Sequence, residues 1–255
     1  PLTSFSSRGS LVLIMMLNDR QAKVLKAVIE EYTATAQPVG SVTLEKKYNL
    51  GISPATIRNE MVNLTKNGFL QQPHTSAGRT PTPMALKYYV RELIKEEEVS
   101  VADEVAVKEK VWDHRFEIDR FMHDITRALA DKTQSLAVSC TSKGDVYHAG
   151  HAHILDNPEF YDIDLAREIL SVIDEFNQLQ AIFGKATGDE TIHILVGDDL
   201  DQEMFQSLGL VFTNFSSPHL TGYLGIIGPA RFNYPHIIPT IRYFGNLVTE
   251  ISQNW

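Results

Sequence analysis

SPATIRNEMVNLTKNGFLQQPHTSAGRTP, Ser53 to Pro81, decides how this chain is organised. Ser53 has a hydroxyl that can cap a helix, Pro54 falls at the first helical position where its missing N–H is no loss, and Gly68 closes the segment. At about 100° per residue, Ile57, Met61 and Leu64 fall on one arc, which is the side expected to meet a core. The opposite side carries Ala55, Asn59, Val62 and Lys66, flanked by Arg58, Thr56 and Asn63. An ordinary solvated face favours Glu–Lys pairs. This mixture instead suits a DNA major groove, where Asn can bond adenine, Arg can bond guanine, and Ala, Val or a Thr methyl can touch the thymine methyl.

The loop after this helix sets His74, Thr75, Ser76 and Arg79 between Pro73 and Pro81. A catalytic reading would make His74 the base and Ser76 the nucleophile, yet no acid lies nearby to orient the histidine and no nucleophile elbow surrounds the serine. A nucleotide cradle needs several glycines, and the loop has only Gly78. A plain turn or a wing gripping the sugar-phosphate backbone remains, with the prolines stiffening it. No catalytic, cofactor-binding or metal-ligating residue is expected.

Working outward, Asn18 or Asp19 can cap a helix with Val24, Leu25, Val28, Ile29 and Tyr32 at helical spacing, ending before Gln37-Pro38. Gly40-Ser41 opens a short second helix, FLQQ after Gly68 has strand character, and Thr82-Pro83 starts a fourth helix, MALKYYVRELIKEE. This order, over residues 16–95, is that of a winged helix-turn-helix. Ser41 and Ser53, at the starts of the second and third helices, join the candidate DNA contacts. Residues 96–133 read as a linker and connecting amphipathic helix, with Val111, Ile118, Phe121, Met122, Ile125 and Leu129 on one stripe. Residues 134–255 alternate β-like runs (SLAVSC, TIHILVG, LVFTNF, GYLGIIG) with a helix from Asp164 to Phe183 and a final helix after Tyr234-Pro235. That pattern predicts an α+β domain whose sheet is covered on one side by helices.

The net charge of -9 argues against a nucleic-acid partner until the chain is divided. Residues 16–95 hold 11 Lys/Arg against 6 Asp/Glu, whereas 96–255 hold 11 against 26. Such asymmetry points to a basic nucleic-acid-binding part joined to an acidic remainder. The single Cys140 excludes an intrachain disulfide, which suits a cytoplasmic setting. The opening residues 1–15 hold an apolar run too short to span a bilayer and read as a leader, with no membrane role expected.

Three stretches carry a family resemblance. VGSVTLEKKYNLGISPATIRNEMVNLTKNGFLQQPHTSAGRTPT, Val39 to Thr82, closely resembles the amino-terminal domain of the HrcA family of heat-inducible transcription repressors, whose hallmark is ATIRNEM followed by a glycine and QPHTSAGR-P. HILDNPEF (His153 to Phe160) is similar to that family's NLL-x-x-PEF segment, and GYLGIIGPARFNYPHII (Gly222 to Ile238) to its G-x-IGIIGP-x-RM-x-YP-x-VI signature. The resemblance covers roughly Met16 to Ile251. It implies a GAF-like carboxy-terminal domain and a homodimer on an inverted-repeat operator before chaperone operons, with the chaperonin as a further partner. Family members are longer and carry an inserted dimerisation segment. Here only Ser135 to Gly150 stands where several strands and that insertion would be. His153, Phe232 and Pro239 also depart from the pattern, and Pro239 falls inside the expected last helix.

Other readings stay open. YHAGHAHILD sets His148, His151, His153 and Asp156 close enough to suggest a metal, but without a second ligand cluster a strand end and loop with exposed histidines is the favoured reading. Gly222, Gly225 and Gly228 have a nucleotide-loop spacing but lie inside an apolar run, which favours strand packing. The carboxy-terminal domain could sense a small-molecule effector, or the winged helix could serve protein contacts alone.

Overall fold

The computed structural model describes residues 17–255 apart from positions 76, 187–189, 202 and 254. The expected leader, 1–15, and Ser76 lie outside the described residues.

The basic part begins with α1 (Asp19–Thr35), opened by a reciprocal cap in which Asn18 accepts from the Gln21 N–H at 3.0 Å and Gln21 accepts from the Asn18 N–H at 3.3 Å. Helices α2 (Ser41–Lys47) and α3 (Pro54–Lys66) follow, and Ile57, Met61 and Leu64 are buried as their shared arc requires. β1 (Leu70–Gln71) pairs antiparallel with β2 (Thr80–Pro81), and Val39 bridges Arg79 through two 2.8 Å backbone bonds. The chain before α2 is thereby tied to the base of the wing.

α4 (Pro83–Tyr88) starts on a Thr82 cap and runs on as a π-helical turn through Leu93. The expected helix, which reached Glu97, stops there because Glu96 and Glu97 have partners elsewhere. Arg242 grips the Glu96 carboxylate at 2.5 and 3.0 Å, and the Glu97 N–H donates to the Pro235 carbonyl at 2.9 Å. That carbonyl needs a donor from outside: it lies four residues before Pro239, which sits inside α10 (Tyr234–Ser252) and has no N–H to give.

The single amphipathic segment expected next is two helices, α5 (Val101–Trp112) and α6 (Ile118–Thr133), separated by turns in which the Arg115 and Glu117 N–H groups bond Trp112 O and His114 O. α6 packs on the sheet, where its Thr126 hydroxyl lies 2.7 Å from that of Ser139.

Five strands, β3 (Leu136–Thr141), β4 (Val146–Ala149), β5 (Ile192–Val196), β6 (Leu208–Ser216) and β7 (Thr221–Pro229), form one antiparallel sheet in the order β4-β3-β7-β6-β5. Ala137, Val211, Leu224 and Ile226 pack into the core shared with α6 and α10. Leu136, Val138, Leu210, Phe212 and Ile227 belong to a second core with α8 (Ile163–Ile173) and α9 (Phe176–Phe183). The sheet is therefore covered on both faces, which corrects the one-sided expectation. Burial on both faces turns an alternating pattern into a continuous apolar run such as Leu208–Phe212, from which no outer face can be read. The helix expected from Asp164 to Phe183 is interrupted at Asp174-Glu175, β4 ends where YHAGHAHILD reads as a strand end, and the short α7 (Ala152–Leu155) was not anticipated.

Gly222 and Gly225 lie in β7, the middle strand. A Cβ at Gly225 would overlap Phe212, and one at Gly222 would overlap the Cys140 carbonyl. Their spacing thus serves close strand packing.

Candidate nucleic-acid interface

The outer side of α3 is open. Ala55, Arg58, Asn59, Asn63 and Lys66 are exposed, while Thr56 and Val62 are half-buried. Behind it, the helices are joined by two buried carboxylates that sequence reasoning missed. Glu60, 6% exposed, pairs with Arg20 at 2.7 Å. Glu31, 5% exposed, takes Lys47 at 2.6 Å and lies 3.4 Å from the Tyr48 hydroxyl. Burial first and the Glu31 charge second push the Tyr48 phenol up to about 12. The only signal in the sequence was a glutamate one position from the buried Met61. The Arg20–Glu60 pair braces α3 from behind without using its outward side chains, and the Lys47–Glu31 pair ties α2 to α1.

Ser53 fulfils the capping role: its hydroxyl accepts from the Thr56 N–H at 3.2 Å and lies 3.0 Å from the Thr56 hydroxyl. Ser41 is half-buried as the first residue of α2.

The wing is a tied loop. The Gln72 side-chain amide donates to the carbonyls of Thr75 at 2.8 Å and Ala77 at 3.1 Å, and the Ala77 N–H closes a turn onto the His74 carbonyl at 2.9 Å. His74 and Thr75 are exposed at this tip. Arg79 lies at the base instead. It is half-buried, and its Nε–H donates to Thr65 Oγ1 at 3.1 Å, beside the last turn of α3. Arg79 thus ties the base of the wing to the last turn of α3. Gly78 is required where the wing passes Val39, because a Cβ there would overlap the Val39 carbonyl.

Elsewhere, His148 and His151 meet edge to face with centroids 4.7 Å apart, His148 Nε2 lies 3.7 Å from Asp174, and His153 lies 3.3 Å from Asp156. Burial, then the neighbouring His148, holds His151 below the ordinary histidine range. Among the described residues, no group of three or more His, Cys, Asp or Glu is placed to hold a metal. Cys140 is buried, and burial pushes its thiol up to about 11.

Arg231 is a second feature the sequence reading missed. Its guanidinium meets the Glu159 carboxylate at 2.5 and 3.1 Å, reaches Asn157 Oδ1 at 3.3 Å, and donates to the Thr33 carbonyl of α1 at 3.1 Å. The NPEF and GPAR segments therefore meet each other and the three-helix part at one residue. Lys87 of α4 adds a 2.6 Å bridge to Asp199.

These features define a class: a three-helix unit with a two-stranded wing, clamped to an α+β domain built on a five-stranded antiparallel sheet. The family described as HrcA protein C terminal domain matches residues 83–238, and the chain belongs to the HrcA family. Among its relatives, proteins named heat-inducible transcription repressor HrcA from Symbiobacterium thermophilum and Moorella thermoacetica are 25% and 26% identical, over 93% and 92% of this chain and 99% and 98% of their own length. The first alignment spans 339 positions, more than the 255 residues present here, so that relative holds residues with no counterpart in this chain. A crystal structure described as that of a hypothetical protein, 17% identical, superposes with a TM-score of 0.78 over 94% of this chain and 99% of its own, showing the same fold. Among the described residues, no helix is long and apolar enough to cross a membrane.

Proposed function

We propose that this protein is a cytoplasmic repressor of transcription that binds, as a homodimer, an inverted-repeat operator upstream of chaperone operons, with the chaperonin as a further partner. The observation that carries this reading is the outward face of α3. Arg58, Asn59 and Asn63 stand exposed on a helix braced from behind by Arg20–Glu60, with the wing fastened beside it. Asn59 and Arg58 supply base-edge chemistry, and Lys66, His74 and Thr75 supply backbone contacts. Two copies on a twofold site multiply what one short helix can discriminate. The named relatives, called transcription repressors, support the same reading.

The test is a gel-shift titration of an inverted-repeat duplex against random DNA at several salt concentrations. Affinity is expected to fall steeply with salt. Arg79→Ala is expected to weaken all sequences by a similar factor, since the residue positions the wing against the backbone and reads no base. Equal affinity of the wild-type chain for operator and random duplex would exclude the repressor reading.

A second reading, effector sensing, has one observation behind it. A cleft of about 890 Å³ lies between the three-helix part and the sheet, with Lys87 and Arg91 on one side and Ile192, Ile194 and Arg242 on the other. That volume suits a small molecule. Thermal-shift screening of metabolites should then find one that raises the melting temperature and also changes operator affinity.

A further inference from the structure

Helix α5 has two apolar sides and uses one. Val107 and Val111 are buried with α6, whereas Val101, Val105 and Trp112, at i, i+4 and i+11, form a second stripe that is 75%, 50% and 50% exposed. Phe116, just past the helix, is 66% exposed. Clustered aromatic and aliphatic exposure of this kind marks a contact surface. The Arg115 guanidinium lies 4.5 Å from the centroids of both Trp112 and Phe116, giving a Trp–Arg–Phe cluster of the types that dominate protein–protein hot spots. A hollow of about 410 Å³ beside Val105, Lys108 and Trp112 is open to receive a side chain from outside.

We infer that this stripe docks a second copy of the chain, α5 against α5, antiparallel about a twofold axis. The inference rests on the repressor reading, which needs two copies, and supplies the surface that joins them. Charge selects this occupant and this direction. Along one flank of the stripe Glu104 lies towards the amino end and Lys108 towards the carboxy end, and Lys108 lies 3.9 Å from Glu250 of its own chain. In an antiparallel pair like flanks meet with their ends reversed, so Glu104 faces Lys108 of the other copy and Trp112 packs near Val101. A parallel pair would oppose Lys108 to Lys108 and bring Glu104 beside Glu109 of the other copy, which is unfavourable. The other flank, Ala102 and Glu109, then sets a small residue against the charge. A standard interface buries about 800 Å² per partner, more than two 12-residue helices meeting along one stripe provide. The free dimer is thus weak, and two half-sites on one duplex complete it by raising the effective concentration.

Sedimentation velocity of the full chain over a concentration series tests the surface. The wild type is expected to pass from monomer to dimer, with Trp112→Glu raising the dissociation constant at least tenfold. Glu104→Lys and Lys108→Glu should each weaken association, and the double exchange should restore it. Circular dichroism checks folding; if Trp112→Glu unfolds, Val101→Lys, at the most exposed position of the stripe, takes its place. On an inverted-repeat duplex, the folded stripe variant should lose cooperative binding while keeping wild-type affinity for a single half-site. A folded stripe variant that still dimerises and binds cooperatively like the wild type overturns the interface and leaves the repressor reading intact. Loss of dimer in the variant, with no operator preference in the wild type, overturns the repressor reading and leaves the interface.

Discussion

Asn59→Ala is expected to lower affinity for the operator duplex by about 1–3 kcal/mol, roughly five- to 150-fold, while affinity for random DNA stays within about twofold. The side chain is exposed at the centre of the outer face of α3, so its removal disturbs no internal contact. A bidentate amide–adenine contact is lost, and the deficit should vanish on a duplex changed at the matching base pair. Lys66→Ala is the contrasting control. As a phosphate contact it should weaken every duplex alike and lower the salt slope by about one. If Asn59→Ala and Lys66→Ala gave the same sequence-independent loss, α3 would not be reading bases.

Arg231→Ala should have the largest effect on stability. Arg231 and Glu159 are each 14% exposed, and removing the guanidinium leaves a mostly buried carboxylate unpaired and the Thr33 carbonyl without its donor. Breaking such a pair from one side costs about 3–5 kcal/mol when fully buried, and about 2–4 kcal/mol is expected at this residual exposure. At roughly 2–4 °C per kcal/mol for a chain of this size, calorimetry should show a drop of about 4–16 °C. The three-helix part is also released from the sheet domain, so a single unfolding transition should split into two. Arg231→Lys keeps the charge but loses the fork, and should fall between the two. An unchanged melting profile for Arg231→Ala would show that Lys87–Asp199 and Glu96–Arg242 hold the parts together without it.

Much of the amino-terminal part was legible because its signals are local. Caps at Asn18, Ser53 and Thr82 announce helix starts within three residues, and Ile57, Met61 and Leu64 mark the inner side of α3 by periodicity alone. The acidic domain was legible in its strands and not in its coverage. Leu136, Ala137 and Val138 look alike as apolar residues, yet successive ones face different helices. Helix ends failed where a distant residue took the backbone or side chain: α4 stops short because Arg242 and Pro235, far along the chain, claim Glu96 and Glu97.

The sequence by itself determined the element order of the three-helix part, which side of α3 faces outward, the basic–acidic division and the family. Those depend on residues within a few positions of each other, where backbone geometry converts spacing into direction. Only the tertiary structure decided that Arg79 belongs to the base of the wing, that Glu31 and Glu60 brace the helices from inside, that Arg231 joins two motifs to α1, and that α5 keeps an uncovered apolar side. Each of these is a contact between distant segments, and a charged or apolar residue carries no mark of its partner until the fold brings the two into reach.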